Sequence, residues 1–515
     1  MRTDLAANPW NHLTAGTTDA EIRSLITNAG GPEIAALDLI RRFGLPITRY
    51  TSLSEMVADR GCIRLVLSKE GPEIVVLVAV SNQGIEMRPD DPSIRCAMVS
   101  SKVVDLVRLC TGMLDPGEAL ATGRIVLDQF GKSEVVTERC PVAEPTVSRE
   151  LRDVLPTTSA LLERGLRTGT YLGGQLFVSV RGRTVVDASF GESLIGVPMT
   201  SNTIHKWFCA GKPITAVAIC QLWERGQLYL DQPVSDFLPS FGGHGKESVT
   251  IRHLLTHTAG LASQSGAIAA FGFADEVPPM GLMVERITAA PLREGWVPGR
   301  RGAYDLIAAW YVLGAIVEIV TDRDLSSYLQ ENVFRPLGME DTFARMNDVV
   351  YRKMRPRIGA IHVIEPTRVQ SFVPVEGDSS YLQCNPGTSI CGPTRDLGRF
   401  YAGLLRMIGA DKADSILRTP TVEAAIATHR AGMKDETLKG QHDFGLGFET
   451  GLSRRIERAS PRAFGLTGLE GAVEGFADPE AEIAIAASFN AVSVNRRRKW
   501  GTVVAAVYED LRAGA

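Results

Sequence analysis

Apolar and polar residues in the first part of the chain follow patterns typical of strands and helices. Two strand-like segments, residues 65–67 and 73–80, are apolar except for Glu73 and are separated by the turn-forming sequence Ser-Lys-Glu-Gly-Pro, which predicts a pair of strands. Residues 102–111 carry apolar side chains at spacings of three and four, which predicts a helix that ends before Gly112. Residues 114–127 add a turn, a short helix and a further strand. The pattern therefore predicts an α+β module.

A polar, proline-containing stretch at residues 140–156 is interpreted as a linker. Beyond it the pattern predicts more strands and helices, which in chain order are a helix at 159–167, strands at 174–180 and 183–190, strands at 472–476 and 482–489, and a closing helix at 500–511. The predicted organisation is a first domain at 1–139, the linker, and a second domain at 157–515. Both domains are of the α+β class.

The size and charge of the chain narrow the classes of function. Its 515 residues exceed what one core usually holds, so at least two folding units are expected. A net charge of -4 and a charged fraction of 22% indicate no polyanion partner, so nucleic acid is not expected as a ligand. The longest apolar runs are far shorter than the ~20 residues that a membrane-spanning helix needs. Because residues 1–16 lack the apolar run of a secretory signal, we expect a cytoplasmic protein without a membrane span.

The eight cysteines are scattered without a repeated Cys-x-x-Cys spacing, which favours reduced thiols over disulfides or a zinc site. Most are expected to be small core residues. No metal and no cofactor is expected.

One cysteine stands beside a lysine in a pattern with a chemical use. Cys209 and Lys212 lie at the start of an apolar run that predicts a buried helix, and Pro213 fits such a helix only in its first turn. A spacing of three places both side chains on one face. The helix N-terminus and a neighbouring ammonium favour a thiolate, whereas a neutral lysine would instead take the thiol proton. Either arrangement gives an activated nucleophile that can hold an acyl group as a thioester.

The stretch that contains Cys209 and Lys212 resembles the S-x-x-K segment of serine β-lactamases, penicillin-binding proteins and related esterases, with Cys209 at the serine position. Further landmarks of that family follow in order, namely residues 249–261, 297–299, 336–339, 394–397 and 444–447. The resemblance covers residues 155–515. It implies a β-lactamase/transpeptidase-like domain, in which an antiparallel sheet is flanked by helices and joined to a helical subdomain.

The resemblance also implies roles for residues of two further motifs. The family's Y-x-N motif matches Tyr304-Asp305-Leu306, so the proton-shuttling tyrosine is kept and the substrate-binding amide is replaced by Leu306. The family's K-T-G strand matches residues 466–468. Leu466 there replaces the lysine that would bind a carboxylate, which argues against a β-lactam substrate.

The resemblance also implies which residues line the cleft and which form the oxyanion hole. Thr467 and Gly468 are expected to line the substrate cleft beside the two leucines. The backbone N–H groups of Cys209 and Leu469 are expected to form the oxyanion hole, a role that requires no particular side chain.

Several polar residues near these motifs receive other interpretations. His253 and His257 are expected to shape a turn rather than to react. His205, four residues before Cys209, is kept as a reserve base. Asp305 and Asp396 are assigned no role, because charged loop residues are usually solvated.

Residues 112–127 resemble the glycine- and proline-punctuated segment of sterol carrier protein-like domains. This resemblance covers residues 63–130 and implies an apolar tunnel that binds a lipid or an acyl group. The alternative is that the first domain only packs against the second or forms a homodimer.

Together these features predict an acyltransferase or hydrolase in which Cys209 carries the acyl group and Lys212 and Tyr304 move the proton. Its predicted substrate is a small-molecule or carrier-bound acyl group of apolar character. A thioester intermediate points to transfer to an amine, and hydrolysis, as by an esterase, thioesterase or amidase, stays open. The alternative hypothesis is a lipid- or metabolite-binding protein on a scaffold that has lost catalysis, with Cys209 as a core residue. The sequence identifies neither the acyl donor nor the acceptor.

Overall fold

The computed structural model describes Glu21, Ser24, the strands between residues 62 and 138, and residues 147–261, 277–364, 368–373, 378–409, 415–493 and 501–513. Two compact units are present. The first comprises Met1–Gly131 and Gln264–Asp275, and the second comprises Lys132–Ser263 and Glu276–Ala515.

The described strands of the first unit form a sheet with the strand order β3-β2-β1-β4-β5. Its strands are β1 Cys62–Lys69, β2 Gly71–Ser81, β3 Gly84–Pro89, β4 Ala97–Lys102 and β5 Ile125–Asp128. The predicted strand pair is confirmed, because β1 and β2 form an antiparallel hairpin around Lys69 and Gly71. The helices predicted at 102–111 and 118–121 lie outside the described residues apart from Lys102, which ends β4. The sterol carrier-like character of this unit stays a prediction.

The second unit contains the remaining strands. In chain order they are β6 Ser133–Glu138, β7 Gly173–Val180, β8 Arg183–Leu194, β9 Val197–Pro198, β10 His205–Lys206, β11 Ile361–Ile364, β12 Arg368–Val373, β13 Cys391–Gly392, β14 Lys434–Asp435, β15 Gly440–Gln441, β16 Asp443–Phe444, β17 Glu449–Thr450, β18 Phe464–Gly468, β19 Val473–Asp478, β20 Ile483–Phe489 and β21 Ala491–Ser493. The main sheet is antiparallel, with the order β16-β17-β18-β19-β20-β7-β8-β9.

Among the described residues, the second unit has the helices α1 Arg149–Val154, α2 Pro156–Arg167, α3 Lys212–Glu224, α4 Ile251–Leu255, α5 Met280–Ala289, α6 Ala308–Thr321, α7 Leu325–Leu329, α8 Asp348–Met354, α9 Ser379–Leu382, α10 Thr394–Met407, α11 Thr419–Ile426 and α12 Thr502–Ala513. Helix α1 lies within the segment that the sequence interprets as a linker. Its Leu151 and the following Leu155 are buried in the core.

Local sequence explains the hairpin and the burial of the central strands. Arg181 and Gly182 join β7 to β8 with positive φ values of 50° and 72°, as a tight hairpin turn requires. Strands β7 and β20 are buried along nearly their whole length, since helices cover both faces of the sheet. Helices α2 and α12 share one apolar cluster with the sheet, and α10 packs against β7, β19 and β20.

A helical region is built around α3 and α6, which pack against each other. Residues 212–222 of α3 and 308–317 of α6 are buried on every side. A helix that is apolar all round is stable only inside a core. The start of α3 is therefore held rigidly, and this start carries Cys209 and Lys212 into the site.

Candidate active site

Cys209 lies on a single 3-10 turn, Phe208–Gly211, that leads directly into α3. Phe208, immediately before it, has a left-handed φ of 48°, a strained conformation for a bulky residue. Pro213 lies in the first turn of α3, as predicted. Cys209 is partly exposed, whereas Cys220, Cys384 and Cys391 are buried.

Lys212 is fully buried, and its ammonium group reaches three acceptors. Its Nζ lies 3.2 Å from Cys209 Sγ, 2.7 Å from the carbonyl oxygen of Leu306 and 3.2 Å from that of Gly387. Three acceptors match the three protons of an ammonium group, which satisfies a charge that burial would otherwise penalise. The rings of Tyr304 and Trp310 lie 5.4 and 5.5 Å from Nζ and add cation–π stabilisation.

Tyr304 completes the group around the sulfur. Burial raises its pKa well above the ordinary value, and the neighbouring Cys209 raises it further through charge and a hydrogen bond. The phenol therefore keeps its proton at neutral pH. The ring of His257 stacks on it, with the centroids 4.3 Å apart.

Gly468, at the end of β18, allows the sheet to approach the nucleophile closely. A β-carbon at this position would lie 2.4 Å from the carbonyl oxygen of Trp207 and 3.1 Å from the backbone nitrogen of Cys209. The next residue, Leu469, has a left-handed φ of 47° and begins a 3-10 turn. Strained backbone at this junction is the kind found at functional sites, and it brings the chain predicted to carry the second oxyanion donor beside Cys209.

Apolar side chains surround the sulfur. Tyr304, Phe444 and Leu466 form a buried cluster against which Cys209 and Leu306 pack. Leu306 binds Lys212 through its backbone carbonyl, so this contact does not depend on the amide side chain of the family motif. Thr467, predicted to face the substrate, donates its hydroxyl hydrogen bond to the carbonyl of Val473.

The histidines differ in environment. His253 completes the capping box of α4 with Thr250. His257 has a left-handed φ of 56°, and its Nδ1 accepts a hydrogen bond from the backbone N–H of Asp305. Burial lowers the pKa of His205 to about 4, and its ring Nε2 contacts the sulfur of Met199.

The two aspartates that were assigned no role are buried in the structure. Asp305 accepts hydrogen bonds from the backbone N–H groups of Ile307 and Ala309, and thereby caps α6. Asp396 accepts from Thr342 and pairs with Arg399. Both are structural residues rather than solvated ones, which corrects the sequence-based interpretation.

Two residues near Tyr304 were not anticipated from the sequence. Arg430 and Asp435 form a buried ion pair, and Asp435 also accepts a hydrogen bond from the backbone N–H of Tyr304. Neither residue belongs to a family motif, and each lies in a polar stretch that resembles an ordinary loop. A signal for their pairing was therefore absent from the sequence pattern.

In the described part of the chain, no group of three or more His, Cys, Asp or Glu side chains is placed to hold a metal ion. The described helices also include none that is long and apolar enough to cross a membrane.

A family model described as "Beta-lactamase" matches residues 158–508, which is more than half of the chain. The esterase/beta-lactamase LipL of Mycobacterium tuberculosis is 26% identical over 349 residues, which cover 62% of this chain and 77% of LipL. Esterase EstB of Burkholderia gladioli is 33% identical over 214 residues, which cover 38% of this chain and 54% of EstB.

Solved structures share the architecture. EstCE1, described as a hydrolase with promiscuous acyltransferase activity, aligns with a TM-score of 0.58 at 21% identity, over 71% of this chain and 100% of that chain. At this level of identity the likeness concerns the fold.

Proposed function

The chain belongs to the Beta-lactamase family, and on that premise we propose that it is an acyl-transfer enzyme that holds its acyl group as a thioester on Cys209. The observation that carries the proposal is the 3.2 Å contact between Lys212 Nζ and Cys209 Sγ inside a mostly apolar site. Two relatives, LipL and EstB, are named esterases, and this supports acyl chemistry.

We propose that Lys212 acts on Cys209 as a hydrogen-bond donor that favours the thiolate. Lys212 uses two of its protons on backbone carbonyls and directs the third at the sulfur. An adjacent cation stabilises the thiolate, which is the nucleophilic form of cysteine. In the proposed first step Cys209 Sγ forms a bond to the acyl carbon of an ester or thioester, and the bond to the leaving group breaks.

Tyr304 is proposed to supply the proton in this step. Its raised pKa keeps the phenol protonated, so it can donate to the departing oxygen or sulfur as that atom gains charge. An incoming acceptor then attacks the thioester and returns its proton to Tyr304, which restores the site. The backbone N–H groups of Cys209 and Leu469 are proposed to stabilise the oxyanion in both steps.

The lining of the site supports an apolar acyl group without a free carboxylate. Leu466 replaces the lysine of the family motif and is buried against Tyr304 and Phe444. A carboxylate placed there would lose hydration without gaining a charged partner at this position. Because thioesters react more readily with amines than with water, we further propose that the acceptor is an amine.

The first domain, predicted at 1–139, is proposed to present or sequester the acyl substrate in a sterol carrier-like tunnel. Expression of residues 132–515, which keeps β6 of the second unit paired with β12, tests this role. Equal turnover and equal affinity of the shortened and full-length proteins would remove the first domain from the proposal.

A partition experiment tests the proposed reaction. The full-length enzyme is incubated with p-nitrophenyl butanoate and benzylamine, and butanoic acid and the butanoyl amide are quantified. We expect amide from wild type and neither product above background from Cys209→Ala. Cys209→Ser should shift the products towards acid, because an oxygen ester discriminates less strongly in favour of amines. Equal amide formation by Cys209→Ala and wild type would contradict catalysis through Cys209, and no turnover above background by either protein would favour the alternative of a binding protein.

A further inference from the structure

A buried ion pair lies directly behind Tyr304. Arg430 and Asp435 are 1% and 0% exposed, and Arg430 Nη2 lies 2.7 Å from Asp435 Oδ2. Burying two charges costs desolvation free energy, and such a pair is often no more stabilising than apolar residues of the same volume. A gain in stability therefore does not readily explain why this pair is present. Its hydrogen bonds to groups around Tyr304 explain its presence better.

Asp435 fixes the backbone of the tyrosine. Its Oδ1 accepts hydrogen bonds from the N–H of Tyr304 at 3.1 Å and from those of Thr437 and Leu438 at 2.8 Å each. Although burial opposes ionisation, the hydrogen bonds from Leu438 and Tyr304 and the contact with Arg430 lower the pKa of Asp435. The carboxylate thus ties the chain before α6 to the turn that follows β14.

Arg430 fixes the ring that stacks on the tyrosine. Its Nη1 donates to the carbonyl oxygens of Thr256 and His257 at 3.3 and 3.2 Å. Its guanidinium also lies 4.8 Å from the centroid of Phe444, which packs edge-on against His257. A single ion pair therefore holds both the backbone of Tyr304 and the aromatic groups around its ring.

We propose that Asp435, held by Arg430, is the positioning residue that keeps the Tyr304 hydroxyl at the Cys209 sulfur during acyl transfer. The inference rests on the proposed function, because it concerns the proton donor of that reaction. A general acid must stay within hydrogen-bond reach of the atom it serves, and a displacement of about 1 Å can cost about 100-fold in rate. Fixing the backbone nitrogen of Tyr304 restricts such displacement.

A double-mutant cycle in the full-length enzyme tests the inference, with ethyl butanoate as the substrate, because its ethoxide leaving group, unlike p-nitrophenolate, must gain a proton to depart. Asp435→Asn keeps an oxygen that can accept from Tyr304 but removes the charge that holds Arg430. We expect kcat to fall about 10- to 100-fold with a much smaller change in KM. In the Tyr304→Phe background the same substitution should have almost no further effect on kcat, because there is no hydroxyl left to position.

Asp478→Asn is the matched control. Asp478 is also fully buried and also accepts several hydrogen bonds, but it lies at the opposite end of β19 from the residues beside Gly468. This variant should lose stability and keep kcat.

Gly302→Ala is a milder test in case Asp435→Asn fails to fold. A β-carbon on Gly302 would lie 2.8 Å from the guanidinium carbon of Arg430 and would press on this side chain. It should lower kcat several-fold, whereas Gly281→Ala, which meets open space, should not.

Two outcomes would overturn the inference and leave the proposed function intact. In the first, Asp435→Asn lowers kcat by the same factor in the wild-type and the Tyr304→Phe backgrounds. The other is a wild-type kcat in both folded Asp435→Asn and Gly302→Ala. By contrast, full activity of Tyr304→Phe would contradict the role of Tyr304 in the proposed function itself.

Discussion

Substitution of Gly468 by alanine tests whether the end of β18 and Cys209 together form the oxyanion site. The new β-carbon would lie 2.4 Å from the carbonyl oxygen of Trp207 and 3.1 Å from the backbone nitrogen of Cys209. Because ordinary contacts require about 3.5 Å, the strand and the nucleophile turn must separate by about 1 Å. The backbone donors would then no longer converge on one oxygen atom.

The expected loss can be estimated from the energy of one oxyanion donor. Removal of such a donor lowers kcat by about 100- to 1000-fold. A 100-fold loss corresponds to a barrier raised by about 2.7 kcal/mol. We expect a loss of at least this size in steady-state hydrolysis of p-nitrophenyl butanoate. Alkylation of Cys209 by iodoacetamide should proceed at nearly the wild-type rate, because this reaction forms no oxyanion at an acyl carbon.

Gly465→Ala is the matched control on the same strand. Its β-carbon would meet the carbonyl oxygen of Gly475 at 2.2 Å, a backbone clash of similar severity that does not involve Cys209. This variant should lower the melting temperature while kcat stays near the wild-type value. A folded Gly468→Ala protein with wild-type kcat would refute the assignment of the oxyanion site.

Three further predictions concern the charges and thiols around the site. Lys212→Met should lower the rate of acylation by p-nitrophenyl butanoate about 1000-fold in a stopped-flow assay, because the thiolate loses its cation. A loss below tenfold would argue against an ion-paired nucleophile. Limiting iodoacetamide should label Cys209 before Cys220, Cys384 and Cys391, since burial raises the pKa of those three thiols to about 12; peptide mapping would reveal the opposite order. The free energy of unfolding should fall as the pH is lowered from about 6.5 to about 4, because burial lowers the pKa of His205 and His362 to about 4 and the unfolded chain therefore binds protons first. Urea titrations in which the double variant His205→Gln, His362→Gln keeps the full pH dependence of wild type would contradict this.

The parts of the site that were predictable from sequence are those that depend on short spacings. Cys209 and Lys212 are three residues apart, and one helical turn brings them together whatever the rest of the chain does. The hairpin at Arg181 and Gly182 is equally local. Tyr304 is distant in sequence, and only the resemblance of its motif placed it beside Cys209.

Contacts outside the motifs were not predictable. Arg430 holds the carbonyls of Thr256 and His257, which are more than 170 residues earlier in the chain. Such a contact depends on the packed fold and leaves no periodic trace in the sequence. Likewise, the prediction of a linker at 140–156 missed α1, because its prolines and polar residues outweighed the apolar Leu151 and Leu155 that the core buries.

The most direct test of the account is intact-mass spectrometry of the full-length protein, quenched with acid during turnover of p-nitrophenyl butanoate. We predict one added butanoyl group, located by peptide mapping on Cys209, removed by neutral hydroxylamine and absent from Cys209→Ala. An adduct that persists in Cys209→Ala, or the absence of any adduct on wild type across a panel of activated acyl esters and thioesters, would contradict catalysis through a Cys209 thioester.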